Sequence, residues 1–366
     1  AWQLDRSDDR IPTMTDLLAL TAELVDMPSV SFDEAELVAH LEDELRTVSG
    51  LSVDRIGDNL VARTNLGREH RLVLGGHTDT VPGDTSGSRY DGDTLWGLGA
   101  ADMKGGLAVM LELARTMTEP AIDVTWVFYA REEVAIAHNG LRELFEQAPE
   151  LLIGDVAILG EPTGGVLEAG CQGTMRFEVV LSGTRAHTAR PWMGRNAVHR
   201  LAHLLLGLEG YEHRELEVEG CRYREALQAV HVEGGVAGNV VPDRSMLRIN
   251  HRYAPDRSGI EAEDHVREFL APHLEEGDTV ELVDHAPAAL PGMSHPLLRA
   301  LAERSGLEVR AKLGWTDAAF FAEHGIPAVN LGPGEPTLAH TAEERVERSS
   351  IEGCYKALSD LLEVGI

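Results

Sequence analysis

His77, Asp102, Glu132, Glu133, Glu161 and His340 are the residues whose types and spacing suit hydrolysis at a pair of metal ions. Such a site needs imidazole and carboxylate ligands for each ion, one carboxylate shared between them, and a water held in place. His77 stands in His77-Thr78-Asp79-Thr80-Val81-Pro82, directly after the apolar run Leu72-Val73-Leu74, which breaks at Gly75-Gly76. A short buried strand that ends in His-x-Asp fixes the imidazole, and Asp79 can accept from its other ring nitrogen. Asp102 lies in Gly97-Leu98-Gly99-Ala100-Ala101-Asp102-Met103-Lys104-Gly105-Gly106, among small residues that leave room for an ion. Glu132-Glu133 interrupts a β-rich run at 124–130. Neighbours after a strand point in different directions, so one can ligate while the other faces the water. The surplus acid, Glu132, is then the natural general base. Each piece alone also has an ordinary reading: a satisfied histidine, a capping aspartate, a solvated Glu-Glu turn. The set together favours metal chemistry.

The elements that must position these residues are legible in outline. Apolar periodicity predicts helices over 13–26 and 31–46, the second capped by Ser31, and strands over 51–56, 59–64 and 71–76. A helix follows over about 105–118, a strand over 124–130, a helix near 138–147 and a strand over 155–159 that breaks at Gly160-Glu161-Pro162. Strands alternating with helices predict an α/β fold with a mixed, largely parallel sheet and flanking helices. Ligands of such sheets collect beyond the carboxyl ends of the strands. His77, Glu132, Glu133 and Glu161 all fall there. From about Cys171 the texture changes to alternating strands (175–182, 228–233, 246–253) with helices at 196–208 and 260–273, an α+β insert. The chain then returns to the first unit, with a helix at 296–305, a strand at 326–331 and a closing helix at 349–363. The expected organisation is a catalytic domain in two parts, 1–174 and 284–366, around an insert at 175–283.

A chain of 366 residues accommodates two domains, and 43% hydrophobic with 25% charged residues is ordinary for a globular protein. The formal net charge of −29 argues against nucleic acid and anionic membranes as partners. No apolar run is long enough for a membrane span, and Ala1-Trp2-Gln3-Leu4-Asp5-Arg6 lacks the apolar core of a signal peptide, so a cytoplasmic protein is expected. Cys171, Cys221 and Cys354 are far apart, which indicates neither disulfides nor a thiolate metal site.

The blocks His77–Pro82 and 97–106, with Glu132-Glu133, Gly160-Glu161-Pro162-Thr163 and the late His340, resemble the five motif blocks of the zinc aminoacylase and carboxypeptidase superfamily. The resemblance covers nearly the whole chain. It implies a zinc-peptidase-like catalytic domain with an inserted lid or dimerisation domain. It also implies two zinc ions per subunit, with cobalt able to substitute. His77, Asp102 and Glu161 would hold one ion and Asp102, Glu133 and His340 the other, with Asp102 as the bridge. Glu132 would be the base, Asp79 would orient His77, and a cis peptide would follow Asp102. Arg185-Ala186-His187-Thr188-Ala189-Arg190-Pro191 resembles the lid block whose histidine reaches the partner subunit's active site in a homodimer. Gly238-Asn239-Val240-Val241-Pro242 resembles the segment whose asparagine contacts substrate.

The implied reaction is removal of an N-acyl group from a small amino acid. Gly170-Cys171-Gln172-Gly173-Thr174 and Gly314-Trp315-Thr316-Asp317 are most similar to the actinobacterial succinyl-diaminopimelate desuccinylases. These hydrolyse N-succinyl-LL-2,6-diaminopimelate on the way to lysine; acetylornithine deacetylase or another N-acyl-amino-acid hydrolase is the alternative. Cys171-Gln172-Gly173 stands where the better-known bacterial form has Arg-Arg-Gly, so that substrate-binding arginine is missing. Arg252, in Asn250-His251-Arg252-Tyr253, sits where the family has Phe-Arg-Phe and could serve a carboxylate, or be an ordinary strand arginine.

Overall fold

The computed structural model describes residues 15–366. The N-terminal stretch read for a signal peptide, and the first two positions of the helix expected at 13–26, lie outside the described residues.

An eight-stranded mixed sheet forms the frame. Its spatial order is Ser52–Ile56, Asn59–Arg63, Asp123–Tyr129, Arg71–His77, Val156–Leu159, Ala328–Asn330, Leu167–Ala169 and Val309–Ala311. The central strands run parallel: Arg71–His77 pairs in parallel with both Asp123–Tyr129 and Val156–Leu159, which in turn pairs in parallel with Ala328–Asn330. All seven residues of Asp123–Tyr129 are buried, as are six of the seven in Arg71–His77. Helices cover both faces, so these strands read as nearly continuous apolar runs rather than alternating ones. Each fully buried Leu or Val there contributes roughly 1.5–3 kcal/mol.

The helix Gly105–Thr116 packs against this sheet and is buried over ten of its twelve residues. Gly106 makes the fit possible, because a Cβ there would collide with the carbonyl of Gly160 on the neighbouring strand end. The closing helix Arg348–Val364 packs against it and against Pro296–Ser305. Both were legible from their apolar spacing. The first helix runs Leu17–Val25, with the Asp16 carboxylate accepting from the amides of Leu18 and Ala19.

Ser31 does not cap the second helix. That helix runs Ala35–Thr47, has Glu34 at its N-cap position and lacks a side-chain cap. Phe32 adopts a left-handed φ of 76° and Asp33 N–H closes a turn onto the Val30 carbonyl, which separates Ser31 from the helix.

A second, four-stranded antiparallel sheet has the order Ala226–Gly234, Arg244–Tyr253, Gly173–Ser182, Thr279–Ala286. Along Gly173–Ser182 buried residues alternate with more exposed ones, the period-two pattern of a half-covered sheet. Met175, Phe177, Val179 and Leu181 from that strand meet Leu201, Leu204 and Leu208 of helix Ala197–Glu209 and Val266 and Leu270 of helix Gly259–Leu270 in one core. Ala226–Gly234 is an edge strand whose Val230 and Val232 remain about half exposed (54% and 50%).

Candidate active site

Three of the candidate segments leave the large sheet at one edge. His77 is the last residue of its strand and pairs in register with Tyr129, the last residue of the next. Glu132 and Glu133 follow Tyr129 after a turn in which Arg131 takes a left-handed φ of 62°. Glu161 follows the strand Val156–Leu159, two residues after Leu159, which lies opposite Gly75. His340 arrives from the loop after Pro336–Leu338, also at a left-handed φ of 62°. A non-glycine residue held there costs on the order of 1–3 kcal/mol, and such residues persist where the surroundings over-determine them.

Asp102 stands between the two imidazoles. His77 Nε2 is 3.1 Å from Asp102 Oδ1, and His340 Nε2 is 3.3 Å from Asp102 Oδ2. On the outer flanks, His77 Nε2 is 4.0 Å from Glu161 Oε1 and His340 Nε2 is 2.7 Å from Glu133 Oε1. Ligand atoms of His77, Asp102 and Glu133 all lie within 4.8 Å of one another. The peptide Asp102–Met103 is cis. Glu344, wholly unassigned in the sequence reading, accepts from the amides of Ala101 and Asp102 at 3.1 and 3.0 Å and so fixes the peptide that carries the central carboxylate.

The donor set fits divalent metal. Among the described residues no lysine or arginine comes within ion-pair distance of Asp102, Glu133 or Glu161. Burial, and then the charge of Asp102, pushes Glu161 up to about 8 against the pull of His77. Glu133 is raised by burial and by Asp102, although His77 and His340 oppose this. Glu132 is raised by burial first and next by the buried Asp317. Crowded acids around two convergent imidazoles, with no lysine or arginine in pairing distance among the described residues, match the charge that metal ions supply.

Asp79 is placed differently from expectation. The Nδ1 of His77 donates to the backbone carbonyl of Asp79 at 3.0 Å, whereas the nearer carboxylate oxygen is 3.6 Å from that nitrogen. The fully buried carboxylate instead accepts from the Glu132 amide (2.9 Å, Oδ1), the Glu133 amide (3.1 Å, Oδ2) and the Ser31 hydroxyl (2.7 Å, Oδ2). Ser31 is thus a neighbour of the site that its sequence context, a helix start, disguised. Behind Glu132 lies another group with no assigned role, Asp317, fully buried and hydrogen-bonded to Asn139 at 2.8 Å.

The remaining candidates belong to the small sheet's unit. His187 forms an isolated bridge with Val240, next to Asn239, whose carbonyl accepts from Thr188 N–H at 3.0 Å. His187 is exposed, and its Nδ1 accepts from the Ala189 amide at 3.0 Å, which leaves the proton of the neutral ring on Nε2. Among the described residues, neither His187 nor Asn239 hydrogen-bonds to the five-donor cluster. Arg252 is half-buried beside Arg176, with no carboxylate in ion-pair range among the described residues. Cys171 is fully buried and its thiol is pushed up to about 11 by burial, the state of an inert structural cysteine.

The sequence pattern of peptidase family M20/M25/M40 matches residues 73–364. A Mycobacterium tuberculosis protein provisionally named succinyl-diaminopimelate desuccinylase is 50% identical over 347 residues, covering 94% of this chain and 97% of the relative. The succinyl-diaminopimelate desuccinylase of Corynebacterium glutamicum is 43% identical over 337 residues, covering 90% and 91%. Among solved structures, a tripeptidase from Staphylococcus aureus superimposes with a TM-score of 0.77 at 23% identity, covering 96% of this chain and 98% of the other, which shows the common fold. The chain belongs to peptidase family M20/M25/M40.

Proposed function

We propose that the chain is a di-zinc amidohydrolase, a succinyl-diaminopimelate desuccinylase, that cleaves N-succinyl-LL-2,6-diaminopimelate to succinate and LL-2,6-diaminopimelate. The reading of the chemistry rests on one observation: two imidazoles address opposite oxygens of Asp102, with Glu133 and Glu161 on the flanks and Glu132 to spare. The choice of substrate is supported by the names of the relatives that share 43–50% of their residues with this chain. Mixed nitrogen and oxygen donors without thiolate suit zinc, and cobalt shares that preference.

In this reading His77, Asp102 and Glu161 would hold one ion and Asp102, Glu133 and His340 the other. Ions bound there would lower the pKa of a held water and polarise the amide carbonyl. Glu132 takes a proton from the attacking water on a carboxylate oxygen and returns it to the amide nitrogen as the C–N bond breaks. One water is consumed, the acyl carbon becomes succinate's second carboxylate, and the nitrogen leaves as the free amine. Arg252 pairs with a substrate carboxylate, the task for which a half-buried guanidinium with no carboxylate in range among the described residues is suited.

The segment 175–283 acts as a lid between the two catalytic segments. We assign a homodimer in which His187 of the partner subunit donates its Nε2 proton to the oxyanion, with Asn239 beside it on the substrate. No helix among the described residues is long and apolar enough to cross a membrane, and a biosynthetic role fits the cytoplasm.

Turnover of N-succinyl-LL-2,6-diaminopimelate and of N-acetylornithine by the zinc-loaded protein tests the assignment. The expected result is a kcat/KM at least about 100-fold higher for the succinyl substrate; discrimination of this size comes when polar groups built for one ligand are left unpaired by another. Equal or reversed values overturn the substrate assignment. Absence of amide hydrolysis with any N-acyl amino acid overturns the hydrolase reading itself.

A further inference from the structure

The link between the first two helices is laced to the metal-side loop. Thr80 N–H donates to the Ser29 carbonyl at 2.9 Å, Ser31 N–H donates to the Thr80 carbonyl at 3.1 Å, and Val30 pairs in parallel with Thr80. The Ser29 hydroxyl adds a 2.7 Å bond to the Thr78 carbonyl. This strand-like register delivers the Ser31 hydroxyl to Asp79 Oδ2 at 2.7 Å. Immediately afterwards the chain turns away at Phe32, and the helix from Ala35 starts without a side-chain cap. A serine suited to capping is therefore committed elsewhere.

We propose that Ser31 is a positioning residue for the hydrolytic reaction, fixing the Asp79 carboxylate so that it holds the Glu132-Glu133 peptide and aims Glu132. Asp79 is fully buried, so each of its oxygens needs donors. Oδ1 takes the Glu132 amide and Oδ2 takes both the Glu133 amide and the Ser31 hydroxyl. Without the hydroxyl, Oδ2 keeps a single donor, the Glu133 amide at 3.1 Å. The carboxylate can then turn about its Cβ–Cγ bond towards His77 Nδ1, 3.6 Å from Oδ1, and its grip on the two amides loosens. Glu132 has no other described tether through its side chain, so the direction of the base depends on this peptide. Ser31 touches no reacting atom; it acts through Asp79.

The inference rests on Glu132 being the base. The test compares the parent protein with Ser31→Ala and Ser31→Thr, each alone and combined with Glu132→Gln. Ser31→Ala should lower kcat about tenfold or more, the scale on which residues supporting a catalytic shell act. KM and zinc content should stay at parental values, and Ser31→Thr, which keeps the hydroxyl, should restore kcat. In zinc-free protein, hydrogen exchange of the peptide spanning 129–135 should quicken in Ser31→Ala and not in Ser31→Thr. With Glu132→Gln present, Ser31→Ala should have no further effect. Parental kcat in Ser31→Ala, unchanged exchange, or a loss undiminished in the Glu132→Gln background overturns the proposal for Ser31. Parental turnover by Glu132→Gln alone overturns the assignment of the base instead.

Discussion

The carboxylate of Asp79 accepts the backbone N–H of Glu132 at 2.9 Å, while only the backbone carbonyl of Asp79 takes the Nδ1 proton of His77. One residue thus does two jobs with two different groups. The ring of His77 is oriented by main chain, which no side-chain change at this position removes. The Glu132-Glu133 peptide is held by the carboxylate, and that can be removed.

Asp79→Asn is the variant that separates them. An amide side chain has one accepting oxygen and one NH₂ group, but the buried carboxylate faces three donors, the amides of Glu132 and Glu133 and the Ser31 hydroxyl. Either orientation sets donor against donor. Turnover should fall roughly 10–100-fold with zinc retained. Loss of zinc with unchanged activity per bound ion would show that Asp79 works through His77 after all.

Glu132→Gln should keep its metal and lose at least about 10²–10⁴-fold in kcat, because an amide cannot take the water's proton. Glu133→Gln should weaken metal binding, since Glu133 Oε1 already sits 2.7 Å from the ligand candidate His340. Metal content and single-turnover rates of the two variants distinguish the roles. If Glu132→Gln loses zinc while Glu133→Gln keeps it, the two roles are exchanged.

Zinc-loaded protein should carry two equivalents per chain, and His340→Ala one, because His77 and Glu161 lie on the other side of Asp102. Elemental analysis after removal of loose metal measures this directly. A single equivalent in the parent protein contradicts the two-metal reading.

His77, Glu132, Glu133 and Glu161 were legible because each ends or follows a buried strand, and such strands announce themselves as apolar runs broken by glycine or charge. The large elements followed from periodicity for the same reason. Ser31 was misread because a serine ahead of an amphipathic helix looks like a cap, and its actual partner lies 48 positions away in sequence. The three-residue strands Arg89–Asp91, Thr94–Trp96 and Arg345–Glu347 are too short to show a period, and the pairing of the last with Thr94–Trp96 spans most of the chain. Glu344 escaped for a related reason: its acceptors' partners are backbone amides of a distant loop, a contact that leaves no mark in residue type.

Stability should depend on pH through His251. Its ring is buried on strand Arg244–Tyr253, with Nδ1 donating to the Ala226 carbonyl at 3.0 Å and Nε2 without a hydrogen-bond partner among the described residues. Burial pushes its pKa down to about 4 from an ordinary 6.5. The unfolded chain therefore takes up a proton that the native state refuses, so stability is full above pH 6.5 and falls as pH drops towards about 4. The limit is on the order of 3 kcal/mol for this one group. Denaturant midpoints measured across that window should fall less steeply for His251→Asn, which keeps a donor for Ala226 and does not titrate. Parallel curves would exclude His251 as a source of the slope.

The proposed homodimer makes the sharpest prediction about assembly. An oxyanion formed in this site would be only partly neutralised by bound ions, so a donor on its far side would add transition-state stabilisation. Within the catalytic segments both histidines of the cluster are already engaged with carboxylates. The small sheet's unit offers His187, whose ring is oriented by the Ala189 amide so that Nε2 carries the proton, and Asn239 is on the adjoining stretch. The same unit exposes an edge strand with Val230 and Val232 uncovered, and Leu206 on helix Ala197–Glu209 is 62% exposed. Such an edge is suited to pairing with a second copy. His187→Ala should then keep zinc and dimerisation and lose about 10²-fold or more in turnover, the scale of one oxyanion donor. Glu132→Gln homodimers should be inactive for a different reason. Mixed dimers of the two variants contain one site with an intact Glu132 and an intact His187 from the partner subunit, so activity should return to a substantial fraction of one parental site. Heterodimers verified by mass that recover no activity would mean that His187 acts within its own chain, or takes no part in the reaction.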